Sequence, residues 1–432
     1  MNLKPITILP ASLLVLIFLS ISVFSQNQNQ VVAGIAVNYN EDNVGIYTLP
    51  DPLLLQDSEK VINTETWTEK RRPEILELYK SEQFGKCPDR KNTSFKIIDK
   101  GSPAFNGAAI RKQVTLYFTK DTSEYKADLL LYLPVTFKKP APVFLMISFM
   151  PNSLKINDPG IKEGTMWTRE GKRIPASEGK GWGYFDVEKY ISEGIGVATI
   201  YYGDIEPDFA EGIKYGIRGY FLNEGETWPA PDEWGAISAW AWGLSCGMDY
   251  LETDKQVDSK KVVLFGVSRL GKTVLWAGAS DERFGMVIAS CSGEGGAALS
   301  MRNFGETIGH MIAPSRYFYQ FCGNRAKYAD DPQTSPIDAH MLISLIAPRP
   351  LLLQTGDTDY WSDARGEFLA AVAAEPVYNL FGKKGLQTDI MPDAGKAILN
   401  DLGYYMHAGG HGVLPDDYDI YLKFMKKHFL EE

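Results

Sequence analysis

The sequence predicts an α/β fold of three layers, in which helices cover a mostly parallel central sheet that carries an antiparallel hairpin at its N-terminal end. Three observations carry that prediction. Continuous apolar runs at 143–149, 195–202, 261–265, 286–291 and 351–355 read as strands buried on both faces, as in a parallel sheet. Helical segments stand between them at 233–251, 270–279 and 367–374. Ahead of the first run, Val114, Leu116 and Phe118 alternate with polar residues, and a polar turn leads into 125–133, which is the pattern of a hairpin. The chain then closes with a short strand at 403–406 and a helix at 416–430, whose Tyr418, Tyr421, Leu422, Met425 and Phe429 share one face.

At the other end, residues 1–25 carry a single charge, Lys4, and a nearly unbroken apolar stretch from Ala11 to Phe24. This reads as a secretory signal peptide. The stretch is shorter than the ~20 residues a membrane span needs. The expectation is therefore a secreted or periplasmic protein with no stable membrane insertion after cleavage. Residues 26–105 are polar and irregular, with one helix expected at 68–79 and interrupted by Pro73, and read as an extension packed on a main domain of 106–432. A net charge of −10, from 44 Lys+Arg against 54 Asp+Glu, argues against nucleic acid as a partner, because phosphate backbones ask for a basic surface. Export permits disulfides among Cys87, Cys246, Cys291 and Cys322, but a domain this large does not need them, and free buried thiols are an equal expectation. Two long segments rich in Gly, Pro, Trp and Lys, 151–190 and 203–232, follow strands on the edge where such sheets place their sites. They are expected pocket walls.

The chemistry concentrates at Gly266-Val267-Ser268-Arg269-Leu270-Gly271-Lys272, where a buried strand runs into Gly-x-Ser and straight into a helix. That turn exposes a serine hydroxyl above the sheet of an α/β-hydrolase sandwich, with the following backbone N–H available to an oxyanion. The second glycine sits at Gly271 rather than at position 270 of the usual Gly-x-Ser-x-Gly pattern. Arg269 and Lys272 fall in the first turn of the helix, at its positive end, where two cations cost stability. An acidic protein that places them there, beside a serine, is building an anion site.

A serine nucleophile needs a base, and in this fold the order along the chain is nucleophile, acid, base. His310 and His340 come too early and His428 belongs to the last helix, while His407 falls in the last strand. His411, in Gly409-Gly410-His411-Gly412, lies in the loop after that strand, where the base belongs. For the acid, Asp359 stands in Gly-x-x-Asp after the strand at 351–355. Asp357 fits a turn cap and Asp363 a helix cap. Glu294, at the end of the preceding strand in Ser292-Gly293-Glu294-Gly295-Gly296, is the rival acid.

These stretches together resemble the glucuronoyl esterases, carbohydrate esterase family fifteen. The likeness rests on the serine run above and on Ser292-Gly293-Glu294-Gly295-Gly296, Arg302-Asn303-Phe304-Gly305-Glu306-Thr307, Ala347-Pro348-Arg349-Pro350, Asp359-Tyr360-Trp361 and Gly409-Gly410-His411, in order from about residue 110 onward. The resemblance implies an α/β-hydrolase that uses no metal or other cofactor and cleaves esters of 4-O-methyl-glucuronic acid on xylan with lignin alcohols. It further implies Ser268 as nucleophile, His411 as base, Arg269 completing the oxyanion hole, Lys272 and Glu306 on sugar hydroxyls, and Trp361 lining the sugar pocket. The chain departs from the family at three places. Cys291 occupies the position where many members carry the catalytic Glu, which turns the choice of acid to Asp359; Val267 replaces the Cys that fungal members pair with one beside the base; and Gly403-Tyr404-Tyr405-Met406-His407 differs from the family's Gly-Tyr-His-x-Arg.

The expected partner is a glucuronoxylan or lignin-carbohydrate ester, and the expected reaction a two-step acyl transfer through an acyl-enzyme. One rival is an acetyl-xylan or other carbohydrate esterase, in which Lys272 and Glu306 would have nothing to hold. The other is a non-catalytic glycan-binding protein on a hydrolase scaffold, against which stands an intact Ser, Asp and His in the right order.

Overall fold

The computed structural model describes residues 30–136, 139–168 and 170–430. The expected signal peptide, 1–25, lies outside them. Nine strands form one sheet: β1 (Ser94–Ala104), β2 (Ala109–Tyr117), β3 (Lys126–Pro134), β4 (Ala141–Ser148), β5 (Gly196–Tyr201), β6 (Val257–Val267), β7 (Met286–Ser290), β8 (Leu351–Gly356) and β9 (Leu402–His407). Their order across the sheet is β9-β8-β7-β6-β4-β5-β3-β2-β1. From β9 to β5 every neighbour is parallel. The pairings of β5 with β3, β3 with β2 and β2 with β1 are antiparallel. This is the α/β-hydrolase fold, with the predicted parallel centre and N-terminal antiparallel edge.

Alternation along the central strands divides the core in two. Leu145, Leu264, Val287 and Leu353 face one hydrophobic cluster, beneath helices α2 (Ala236–Leu251), α3 (Arg269–Ser280) and α4 (Ala364–Leu380). Phe144, Val263, Ile288 and Leu352 face the other, covered by α5 (Asp417–Phe429) with Tyr421, Phe424 and Met425. A strand with both faces so covered shows no polar alternation, which is why 143–149 and 261–265 read as unbroken apolar runs.

The N-terminal stretch holds more regular structure than expected. The helix starts at Asn63, whose side chain caps Thr66, and passes through a π turn at Trp67–Arg71 before α1 (Arg72–Glu82). The wider turn seats Pro73 at the first turn of α1, where its missing N–H costs nothing, so proline marks an irregularity and the helix continues. Tyr79 of α1 stacks on Phe84, which in turn stacks on Trp276 of α3, tying this stretch to the core. Strand β1 corrects the reading of 26–105 as irregular throughout. It is the outer edge of the sheet, and only Ala104 along it is buried, so neither face carries an apolar pattern.

All four cysteines are free, so no disulfide forms among the described residues. No helix among those residues is long and apolar enough to cross a membrane.

Candidate active site

Ser268 stands at the C-terminal end of β6, at φ 59° and ψ −127°, immediately before α3. A non-glycine residue reaches this region only when its surroundings impose it. The neighbours leave room for nothing larger than glycine. A Cβ on Gly266 would lie 2.2 Å from the Leu270 carbonyl oxygen, and one on Gly271 would lie 2.7 Å from that of Ser290. Gly271 therefore does what the second glycine of the usual motif does, one residue later, by letting α3 pass close to β7.

The base and acid come from the loops after β9 and β8. Nδ1 of His411 lies 2.7 Å from Oδ2 of Asp359, and the Ser362 hydroxyl approaches the same nitrogen at 3.2 Å. Gly356 permits this closeness, since a Cβ there would stand 2.2 Å from the Gly410 carbonyl oxygen of the base loop. Asp359 is buried, which raises its pKa, but hydrogen bonds from His411 and Ser362 outweigh burial and hold it below the usual carboxylate value. It stays ionised, as an orienting carboxylate must.

The rivals have other employment. Glu294 is buried against Arg325 at 2.7 Å and the Ser300 hydroxyl at 3.0 Å. Asp357 accepts the Gly409 N–H at 2.8 Å, which pins the base loop. Asp363 caps α4 through the Gly366 N–H and pairs with Arg302, as its cap reading expects. His407 is buried in β9, held by Asp417 at 2.8 Å.

Arg269 opens α3. Its Nη1 lies 2.5 Å from Oδ2 of Asp208, and its guanidinium stacks 4.6 Å from the Tyr317 ring. One helical turn on, Lys272 is buried; burial lowers its pKa, with Glu306 pulling the other way. Glu306, raised by burial, pairs with Arg316 at 2.7 Å, and Arg316 lies over the Trp361 ring at 5.1 Å. Ser268, Arg269, Lys272, Glu306, Asp359, Trp361 and His411 all line one cavity of about 210 Å³. The structure thus brings together every site residue expected from the sequence.

On its other side Ser268 opens on a cleft of about 1890 Å³, walled by Trp167, Lys180, Trp182 and Tyr184 from the first expected wall segment and by Asp208 and Phe209 from the second. Sequence reasoning missed Asp208, Arg316, Tyr317 and Gln320. They lie in loops and one short 3-10 turn with no motif, and only the run of Arg316 and three aromatic residues at 317–319 hints at them. Cys291, Asp359 and His411 place one donor atom each within 4.8 Å of the others, the one such grouping among the described residues. Burial pushes the Cys291 thiol up to about 12, and its Sγ accepts the Gly412 N–H at 3.3 Å.

Residues 187–382 match the family model for glucuronyl esterase of fungi. A relative named Carbohydrate esterase MZ0003, from an unknown prokaryotic organism, is 43% identical over 90% of this chain and 92% of its own length. Among solved structures, a glucuronoyl esterase from Solibacter usitatus superposes with a TM-score of 0.85 at 45% identity, covering 90% of this chain and all (100%) of the other. A CE15 glucuronoyl esterase from Teredinibacter turnerae gives 0.77 at 32% identity, over 91% and 93% of the two chains. With 43% and 45% identity to the first two of these relatives over 90% of the chain and the fold shared, the chain belongs to the CE15 family of glucuronoyl esterases and is a carboxylic ester hydrolase.

Proposed function

We propose that the chain hydrolyses esters joining (4-O-methyl-)glucuronic acid to an alcohol, as in lignin-carbohydrate esters of glucuronoxylan, with the sugar acid in the small cavity and the alcohol in the large cleft. The observation that carries this reading is that Ser268, Arg269 and His411 line both hollows, so an ester carbonyl at the serine would project its acyl side into one and its alkoxy side into the other. An acetyl group offers nothing to the buried Lys272 and Glu306. A polyhydroxylated acid does.

In this mechanism the Asp359 carboxylate accepts the Nδ1–H of His411, which leaves Nε2 free to take the Ser268 proton. Oγ then attacks the ester carbon. A guanidinium carries five N–H donors and Asp208 engages one nitrogen, so Arg269 keeps donors for the oxyanion. The alcohol leaves with the proton from His411, and water, activated by the same base, releases the uronic acid. The site residues and their roles are part of this proposal, as are export through residues 1–25 and action on plant cell-wall xylan outside the cell.

The test sets methyl and benzyl glucuronate against an acetylated xylo-oligosaccharide with the purified chain. Preferential cleavage of the glucuronate esters is expected. Preferential acetyl release would keep the triad and overturn the substrate.

A further inference from the structure

We infer that Gln320 is a substrate-binding residue that accepts a hydroxyl of the sugar acid through Oε1, and that Asp208 is the positioning residue that turns its amide and also holds Arg269. This rests on the sugar-acid reading above and names the residues that would make it selective.

The argument starts at Asp208. Its carboxylate is buried, with Oδ2 accepting from Arg269 Nη1 at 2.5 Å and the Tyr202 hydroxyl at 3.3 Å, and Oδ1 accepting from the Tyr319 hydroxyl at 2.7 Å and Gln320 Nε2 at 2.8 Å. Both oxygens of this carboxylate act as acceptors, Oδ2 to the Arg269 guanidinium and Oδ1 to the Tyr319 hydroxyl, so the Gln320 amide presents nitrogen to it. Oε1 is thereby turned away from Asp208. It meets no donor among the described residues, although Gln320 is 0% exposed and lines the small cavity.

A second orphan lies in the same wall. Arg316 gives Nη2 to Glu306 and is stacked between Tyr317 at 4.9 Å and Trp361 at 5.1 Å, yet its buried Nε has no partner. Buried polar atoms are almost always satisfied, and an orphaned one is costly. Gln320 and Arg316, which carry this free acceptor and free donor, both line the chamber of about 210 Å³, and such a pair is complementary to a sugar ring, whose hydroxyls both donate and accept. An acyl group without hydroxyls leaves both unpaired, and sites built around a substrate hydroxyl reject such analogues.

Asp208 links the two halves of the site. One oxygen fixes the cation beside the serine and the other fixes the acceptor in the sugar chamber.

Gln320→Met keeps the length of the side chain and removes the acceptor. For wild type and variant, kcat and KM are measured on methyl glucuronate, together with the rate at which a small organophosphonate inactivates Ser268 as a reference that carries no sugar. The ratio of kcat/KM to that inactivation rate is expected to fall about tenfold, mainly through KM, the scale of one lost hydrogen bond in a dry site. A ratio within twofold of wild type would overturn the inference. So would a parallel fall of both rates, which marks a merely structural role. If Gln320→Met does not fold, Gln320→Asn, which withdraws the oxygen but keeps an amide, is expected to show the same selective loss. A wild-type enzyme that leaves glucuronate esters untouched would overturn the substrate reading and this inference with it. Wild-type turnover with an unchanged ratio in the variant would overturn this inference alone.

Discussion

The two hollows that meet at Ser268 are built by opposite means. The smaller is compact and charged: Glu306 is paired with Arg316, Lys272 is buried beside them, and Trp361 lies beneath the guanidinium. The larger is roomy and aromatic, and part of its wall is the Trp182-Gly183-Tyr184 run, in which Trp182 is 75% exposed and Tyr184 61% exposed. Buried charges held in place cost desolvation and so suit one ligand of defined shape, because their orientation is set before it arrives. Exposed rings on a glycine-flanked loop accept many partners by stacking and demand no single geometry. Selectivity on the proposed reaction therefore belongs to the acyl side, and tolerance to the alcohol side.

The strongest test of this contrast strikes the point that the two sides share. Ser268→Ala is expected to lower turnover of every ester on the order of a millionfold, because removing a triad nucleophile abolishes the acyl-enzyme route. Measured on methyl and benzyl glucuronate, the two losses should match within error. Near-normal activity on either would mean that a different residue attacks. Next in size is Lys272→Met, which removes a buried cation from the small chamber only. Loss of a charged hydrogen-bond partner predicts a fall of roughly tenfold to a hundredfold in kcat/KM for both glucuronate esters, carried by KM. If methyl and benzyl esters were affected unequally, Lys272 would be acting on the alcohol, and the division between the hollows would fail.

The same division separates what was legible in the sequence from what was not. Strands β4 to β8, helices α2 to α4 and the Ser268, Asp359 and His411 set were readable, because buried strands, helix periods and loop motifs are local patterns. The walls 151–190 and 203–232 were readable as walls from composition, but not which of their residues turn inward. Asp208, Arg316 and Gln320 were not readable. The roles of Asp208 and Gln320 come from contacts across more than sixty residues of chain, Arg269 with Asp208, separated by 61 positions, and Gln320 with Asp208, separated by 112, while Arg316 pairs with Glu306 only 10 positions away but in no motif. Strand β1 escaped for a different reason: an edge strand that buries almost nothing has no apolar pattern to show. The displaced glycine at Gly271 was visible as a mismatch, and only the 2.7 Å approach of the Ser290 carbonyl oxygen shows why the motif still works there.

The smallest expected effect tests the aromatic cleft alone. Trp182 lies 6.1 Å from the Phe149 ring at the cleft wall, its neighbour Gly183 adopts φ +104°, and the indole stands mostly in solvent on an irregular stretch of chain. Stacking of one exposed ring on an aromatic alcohol is worth about 0.5–1.5 kcal/mol, or roughly twofold to tenfold. Trp182→Ala should therefore lower the ratio of benzyl to methyl glucuronate turnover by that factor, measured as kcat/KM on the two esters. Because the ring is mostly exposed, its loss leaves little cavity behind, and the melting temperature should move little. An unchanged ratio would mean that the alcohol does not lie against this wall. The cleft would then lose its place in the reaction, and the small chamber would have to account for recognition by itself.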